Sequence, residues 1–154
     1  MVNRATAAPW VMSNDEDRHR RTLYTHYWRL TPHPLLQTFD VPDSLTSCTR
    51  RRPTNTPLQA LTLLNDPVFV ECSEALAHKL SESSLDESTC IRHAFVECLG
   101  RLPDSDELEI LMQVRSDAHK QYEAVNETGL PVDVAAWTQV IRVLFNSDEF
   151  VTRE

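Results

Sequence analysis

The chain has 154 residues, 15 Lys and Arg against 23 Asp and Glu, a net charge of −8 and 41% hydrophobic residues. That is the balance of a globular chain of one-domain size, and it excludes a whole-chain polyanion binder, because phosphate affinity needs concentrated Lys and Arg. No run approaches the ~20 apolar residues that carry a helix across a bilayer, and the segment Met1 to Met12, broken by Pro9, is too weakly apolar for a secretory signal.

Charge and proline are both unevenly spread. Residues 1–52 carry 8 Lys and Arg with 5 Asp and Glu, net +3, whereas residues 53–154 carry 7 and 18, net −11. Six of the nine prolines (Pro9, Pro32, Pro34, Pro42, Pro53, Pro57) fall in the first 57 residues, where each fixes φ, removes a backbone donor and biases its predecessor toward extended geometry. Residues 1–17 therefore read as a disordered leader and residues 18–56 as a basic, aromatic, proline-rich segment. Within it the run Arg18-His19-Arg20-Arg21 precedes Leu23, Tyr24, Tyr27, Trp28 and Leu30, a pattern that fits a short helix with its aromatic side docked on a helical body. Thr31 to Pro53 reads as loop and ends in a second basic run, Arg50-Arg51-Arg52.

Residues 57–154 read as the helical domain. Thr54 and Asn55 arrest the loop, and a short helix starts at Pro57 with Leu58, Leu61 and Leu64 packing inward. Asn65-Asp66-Pro67 places a capping residue before a proline at the first helical position, and Val68, Phe69, Cys72, Ala75, Leu76 and Leu80 then form a stripe. The next helix starts near Asp86, presents Ile91, Ala94, Phe95, Cys98 and Leu102, and stops at Gly100. Asp104 and Glu107 stand in capping-box spacing ahead of a stripe of Leu108, Leu111, Met112, Ala118 and Tyr122, with Arg115 set aside from it. After Gly129-Leu130-Pro131, Asp133 is the expected cap of a last helix, whose Val134, Trp137, Ile141, Leu144 and Phe145 share one face. Alternating β-branched runs and Asn-Gly or Asp-Gly turns are missing. The fold class is all-α: a small bundle of about four to five amphipathic helices with an irregular proline-rich N-terminal segment.

The search for chemistry returns little. Cys48, Cys72, Cys90 and Cys98 form no Cys-x-x-Cys pair, which leaves a zinc ribbon or redox site unsupported. Cys90 and Cys98 lie ~12 Å apart along one helix, too far for a disulfide. Cys72 and Cys98 read as core residues, and Cys48, beside three arginines, is the thiol whose neighbours favour a thiolate. His19, His26 and His33 recur every seventh residue, but Pro32 and Pro34 separate His33 from any helix shared with the others, so they read as surface groups and no metal site is expected. The basic runs sit against a net −11 remainder, which argues against a nucleic-acid partner. One polar group fits a purely structural account poorly. Gln59, an amide one turn into a helix and near Asn55 and the arginines, suits a polar pocket, so Arg51, Arg52, Asn55, Gln59 and Asp66 form the candidate ligand or partner surface.

The string from Thr54 to Glu71, TNTPLQALTLLNDPVFVE, resembles the signature of the planctomycete PSD-one domain, a family of unknown function. Arg21-Thr22-Leu23-Tyr24-Thr25, Phe39-Asp40-Val41-Pro42-Asp43, Leu99-Gly100-Arg101 and the run from Phe145 to Glu154 agree with it in order. The resemblance implies the carboxy-terminal portion of a larger exported protein whose upstream part carries a cytochrome-c-like module, with other domains of that parent or a partner chain as partners. This chain has no Cys-x-x-Cys-His, so the expectation is no cofactor here and haem c in upstream domains only. Two readings follow. One is a non-catalytic helical module with an exposed apolar patch. The other is part of an enzyme acting on an extracellular carbohydrate or ester, which requires Asp40 or Asp43 to converge with Arg51 and Gln59.

Overall fold

The computed structural model describes residues 10–28, 31–42, 46–50, 54–125 and 129–152, the side chains of residues 15 and 16 excepted. In chain order it holds α1 (Asp15–Arg18), a 3-10 turn (Thr22–Tyr24), α2 (Pro34–Thr38), α3 (Pro57–Asn65), α4 (Pro67–Ser81), α5 (Glu87–Leu99), α6 (Ser105–Val125), α7 (Val132–Phe145) and α8 (Asp148–Val151). Among the described residues there is no strand, so the fold is all-α. None of these helices is long and apolar enough to cross a membrane. The chain divides into two compact units, Met1–Thr62 and Leu63–Glu154, with the division inside α3.

The second unit is a bundle built around α7. Nine α7 residues are buried, from Val134, Ala135, Ala136, Trp137 and Thr138 to Val140, Ile141, Leu144 and Phe145. They cover most of the helix circumference rather than one stripe, which is how a helix packed on several sides reads. Around it α4 contributes Ala77 and Leu80, α5 contributes Cys90, Ile91, Ala94 and Phe95, and α6 contributes Leu111. Local sequence signals set the helix ends. Asp66 accepts from the Val68 N–H ahead of Pro67, and Asp86 accepts from the Thr89 N–H. The Ser88 and Thr89 hydroxyls and the Thr89 N–H hold the Asp86 carboxyl down at about 2. Gly100 ends α5 at φ 79°, a conformation that favours glycine, with its N–H on the Val96 carbonyl at 2.9 Å. The expected capping box forms in both directions, Glu107 N–H to Asp104 Oδ1 at 2.8 Å and Asp104 N–H to Glu107 Oε2 at 2.9 Å.

Several sequence expectations are corrected. Asp133 does not cap α7; Pro131 stands at the cap, its carbonyl taking the Ala135 N–H at 2.9 Å, and Asp133 pairs with Arg115 instead. Arg115 is part of the packed structure, not set aside: its guanidinium lies 4.5 Å from the Trp137 ring centroid and also reaches Glu87 at 3.2 Å. On α3 the inward residues are Gln59 and Leu63, four apart, while Leu58 and Leu61 are 61% and 56% exposed. Cys72 is exposed, whereas Cys90 is buried. Leu102 and Met112 face solvent. Leu23 and Tyr24 are 82% and 69% exposed, and Leu30 lies outside the described residues. Three short helices were hidden: α1, which begins inside the segment read as a leader, α2, nucleated by Pro34 at its first position, and α8.

Truncation separates the two kinds of leucine-sized position. Ile141→Ala, at 0% exposure, is expected to cost about 2–5 kcal/mol in urea unfolding, and Leu58→Ala less than about 0.5 kcal/mol. Equal losses would contradict the packing described here.

Candidate functional site

In the first unit the polar residues converge on one amide. Gln59 is 1% exposed. Its Nε2 donates to the Thr38 carbonyl at 2.9 Å and to Thr54 Oγ1 at 3.0 Å, with Asp40 Oδ2 at 3.4 Å, while its Oε1 accepts the Thr56 N–H at 3.0 Å. The Gln59 N–H returns to Thr56 Oγ1 at 3.3 Å, a capping box with Thr and Gln in the two roles. The Thr54 hydroxyl also donates to Asp40 Oδ2. Asp40 reaches this position from a left-handed backbone, φ 52°, at the end of α2. Its N–H bonds the Gln37 carbonyl at 3.2 Å and the Val41 N–H bonds the Leu36 carbonyl at 2.9 Å, the paired bonds of a Schellman motif with aspartate in glycine's usual place. The node thus ties α2, the 54–56 segment and α3 together.

The other members of the candidate surface lie elsewhere. Arg51 and Arg52 fall outside the described residues, as does Asp43. Asn55 is exposed and engaged in a contact, and Asp66 serves as the α4 cap in the second unit. Asp40 and Gln59 do converge, but with the amide buried and spent on internal partners. Cys48 is exposed and donates to the Arg50 carbonyl at 3.4 Å. Burial, then Glu97, pushes the Cys98 thiol up to about 11, which keeps it protonated. Among the described residues no three His, Cys, Asp or Glu side chains gather in a metal-binding group.

The second unit holds two further constellations. Arg101 forks onto both Glu107 (2.6 and 2.8 Å) and Glu149 (2.7 and 2.8 Å), with its guanidinium 4.8 Å from the Phe95 ring. It clamps the α5–α6 corner to α8. The Arg101 hydrogen bonds lower the Glu107 carboxyl from 4.5 to about 2 and lower that of Glu149, while both glutamates raise Arg101.

The other is an open cleft of about 460 Å³ between α4, the C-terminal part of α6, the 129–130 segment and α7. Val70 and Leu130 give it apolar wall; Glu74, Tyr122, Gln139 and Arg142 give it polar groups. Gln139 Nε2 donates to Tyr122 Oη, and Arg142 Nη2 donates to the Leu64 carbonyl at 2.7 Å. The sequence reading missed this cleft, although a signal was there. Ala135, Thr138, Gln139 and Arg142 follow i, i+3, i+4, i+7 spacing, a second stripe beside the apolar face of the same helix.

A family model described as a protein of unknown function, PSD1 (DUF1553), matches residues 2–115 of the 154. The chain belongs to the PSD1 family. The PSD1 match takes in the Gln59 node, α4, α5, Arg101 and the first half of α6, and stops short of α7. No curated protein and no solved structure matches the chain.

Gln59→Leu removes the amide and strands the Thr56 N–H and the Thr38 carbonyl, at a local cost of about 1–3 kcal/mol. Faster amide exchange at Thr56, with exchange in α7 unchanged, is the expected result; unchanged exchange at Thr56 would contradict the node. For the clamp, folded-state carboxyls lowered from 4.5 contribute stability that is full above about pH 4.5 and is lost as pH falls toward 2. The thermal midpoint of Glu107→Gln should therefore lie below that of the parent chain at neutral pH, with the gap closing across that window.

Proposed function

We propose that this chain is a non-catalytic helical module of a larger exported protein, with the α4–α7 bundle as scaffold and the first unit as a contact segment covered by another domain of the parent protein or by a partner chain. The observation that carries this reading is an asymmetry of burial. Among the described residues of the first unit Gln59 alone is buried, and no apolar side chain is. Val11, Met12, Leu23, Tyr24, Leu58 and Leu61 are each more than half exposed. Ordering a chain costs roughly 1–2 kcal/mol per residue, a cost that apolar burial normally offsets. A segment ordered by polar bonds and short helices, with its large apolar groups left in water, has the character of a surface awaiting a partner. Its net charge of +3 over residues 1–52 favours a partner with an acidic rim.

The resemblance of residues 54–71 supports the exported, multidomain setting and, with it, an extracellular or periplasmic location; haem on this reading belongs to upstream domains. The hydrolase-like or carbohydrate-binding reading gains no support from the Gln59 node, whose amide has no surface to offer a ligand.

An environment-sensitive dye supplies the test. The isolated chain should enhance the fluorescence of 8-anilinonaphthalene-1-sulfonate at neutral pH or self-associate, and the triple variant Leu23→Ser, Leu58→Ser, Leu61→Ser should lose at least half of that response with an unchanged unfolding midpoint. A monomer that binds no dye overturns the proposal.

A further inference from the structure

The cleft beside α7 carries two opposite charges that do not satisfy one another. Glu74, half-buried on α4, has no side-chain hydrogen bond or ion pair among the described residues. Arg142, half-buried on α7, is held by a single bond from Nη2 to the Leu64 carbonyl, and its buried Nε has no partner. The two line the same 460 Å³ space without pairing. Gln139 and Tyr122 line the same cleft, joined by one hydrogen bond. That bond uses a Gln139 N–H and a Tyr122 lone pair, so it leaves Gln139 Oε1 as an acceptor and the Tyr122 O–H as a donor.

One ligand chemistry answers all four groups. A peptide bond needs one acceptor for its N–H and one donor for its carbonyl, which are what Gln139 and Tyr122 retain. An ammonium suits the carboxylate of Glu74 and a carboxylate suits the guanidinium of Arg142. A neutral polyol would leave both partly desolvated charges unmatched, which costs free energy. A dipeptide separates its terminal charges by about two residue lengths, ~3.6 Å each at most, so one molecule can meet two side chains of one cleft that do not pair with each other. The cleft volume also lies within the usual ~300–1,000 Å³ of small-ligand sites. We propose that this cleft binds a short zwitterionic peptide with an apolar side chain, its ammonium on Glu74, its carboxylate on Arg142, its peptide bond on Gln139 and Tyr122, and its side chain against Val70 and Leu130.

Titration of the full chain with alanyl-leucine, followed by amide chemical shifts, tests the assignment against three controls: the N-acetylated dipeptide, the dipeptide amide and glucose. Shifts should centre on Gly129, Ala135 and Gln139, and the free dipeptide should bind at least about tenfold more tightly than either capped form, the worth of one charge-assisted bond. Glu74→Gln should abolish the preference over the acetylated form alone, and Arg142→Gln the preference over the amide alone. Because Arg142 also holds Leu64, the Glu74 variant decides the matter if the arginine variant does not fold. No shifts at about 10 mM dipeptide, a weak Kd on the scale of small-ligand binding, would overturn the proposal. So would equal affinity for the capped forms, tighter binding of glucose, or an unaltered preference in Glu74→Gln. The contact-segment reading of the first unit stands or falls separately, since no residue before Val70 takes part.

Discussion

Helix α7 buries nine of its residues and leaves only a narrow strip of Val132, Gln139 and Val143 toward water, and the second unit is arranged to cover the rest. A helix apolar on one stripe can lie on a surface; one with nine buried residues around most of its circumference must be largely enclosed. Enclosure dictates that α4, α5 and α6 each turn an apolar stripe inward, which is what Ala77 with Leu80, Ile91 with Phe95, and Leu111 do. It also dictates where charge can be tolerated near the core. Arg115 passes its guanidinium over the Trp137 ring and ends between Glu87 and Asp133, so one side chain links α5, α6 and α7 while its charge stays compensated. The Phe69, Phe145 and Phe150 rings extend the packing to α8, where Glu149 then reaches Arg101.

The first unit solves the same problem of order by other means. Without buried apolar side chains, its described segments are held by backbone turns and by one amide that collects bonds from α2, the 54–56 segment and its own helix cap. Asp40 accepts a left-handed backbone to place its carboxylate there, a conformation that costs an L-residue roughly 1–2 kcal/mol. A polar node of this kind fixes geometry without supplying much net stability, since each hydrogen bond replaces one to water. Order of this sort is suited to presenting a surface and poorly suited to surviving alone.

How much of this the sequence disclosed depended on whether the signal was local. Caps are local, and Asp66, Asp86, Gly100 and the Asp104–Glu107 box sit where the spacing puts them. Facing is not local. The α3 stripe reads equally well as Leu58, Leu61 and Leu64 or as Gln59 and Leu63, and only the bonds available at Thr38, Thr54 and Thr56 decide for the second. Asp133 looked like a cap because the alternative, a partner in Arg115 eighteen residues earlier on another helix, has no short-range signature. Helix α2 escaped because a proline that ends one segment also begins a helix when it occupies the first position. The candidate surface was legible only in part: Gln59 stood out as chemically odd, but oddness in sequence does not distinguish an amide that recognises a ligand from one that recognises its own chain.

The PSD1 match closes at residue 115, inside α6, while the physical unit does not. The inward residues of α4 and α5, with Leu111 at the middle of α6, form a single cluster with α7, and without α7 each of those stripes would face water at about 1.5–3 kcal/mol for every large side chain. A folded body therefore has to include residues 132–145, beyond the stretch that the family model matches. The matched stretch contains the elements whose chemistry is specific, the Gln59 node and Arg101, where one residue type satisfies a fixed set of donors and acceptors. Helix α7, beyond it, supplies nine buried residues together with Asp133 for Arg115 and Arg142 for the Leu64 carbonyl. The matched helices and α7 are one physical unit, each covering apolar side chains that the other would leave in water.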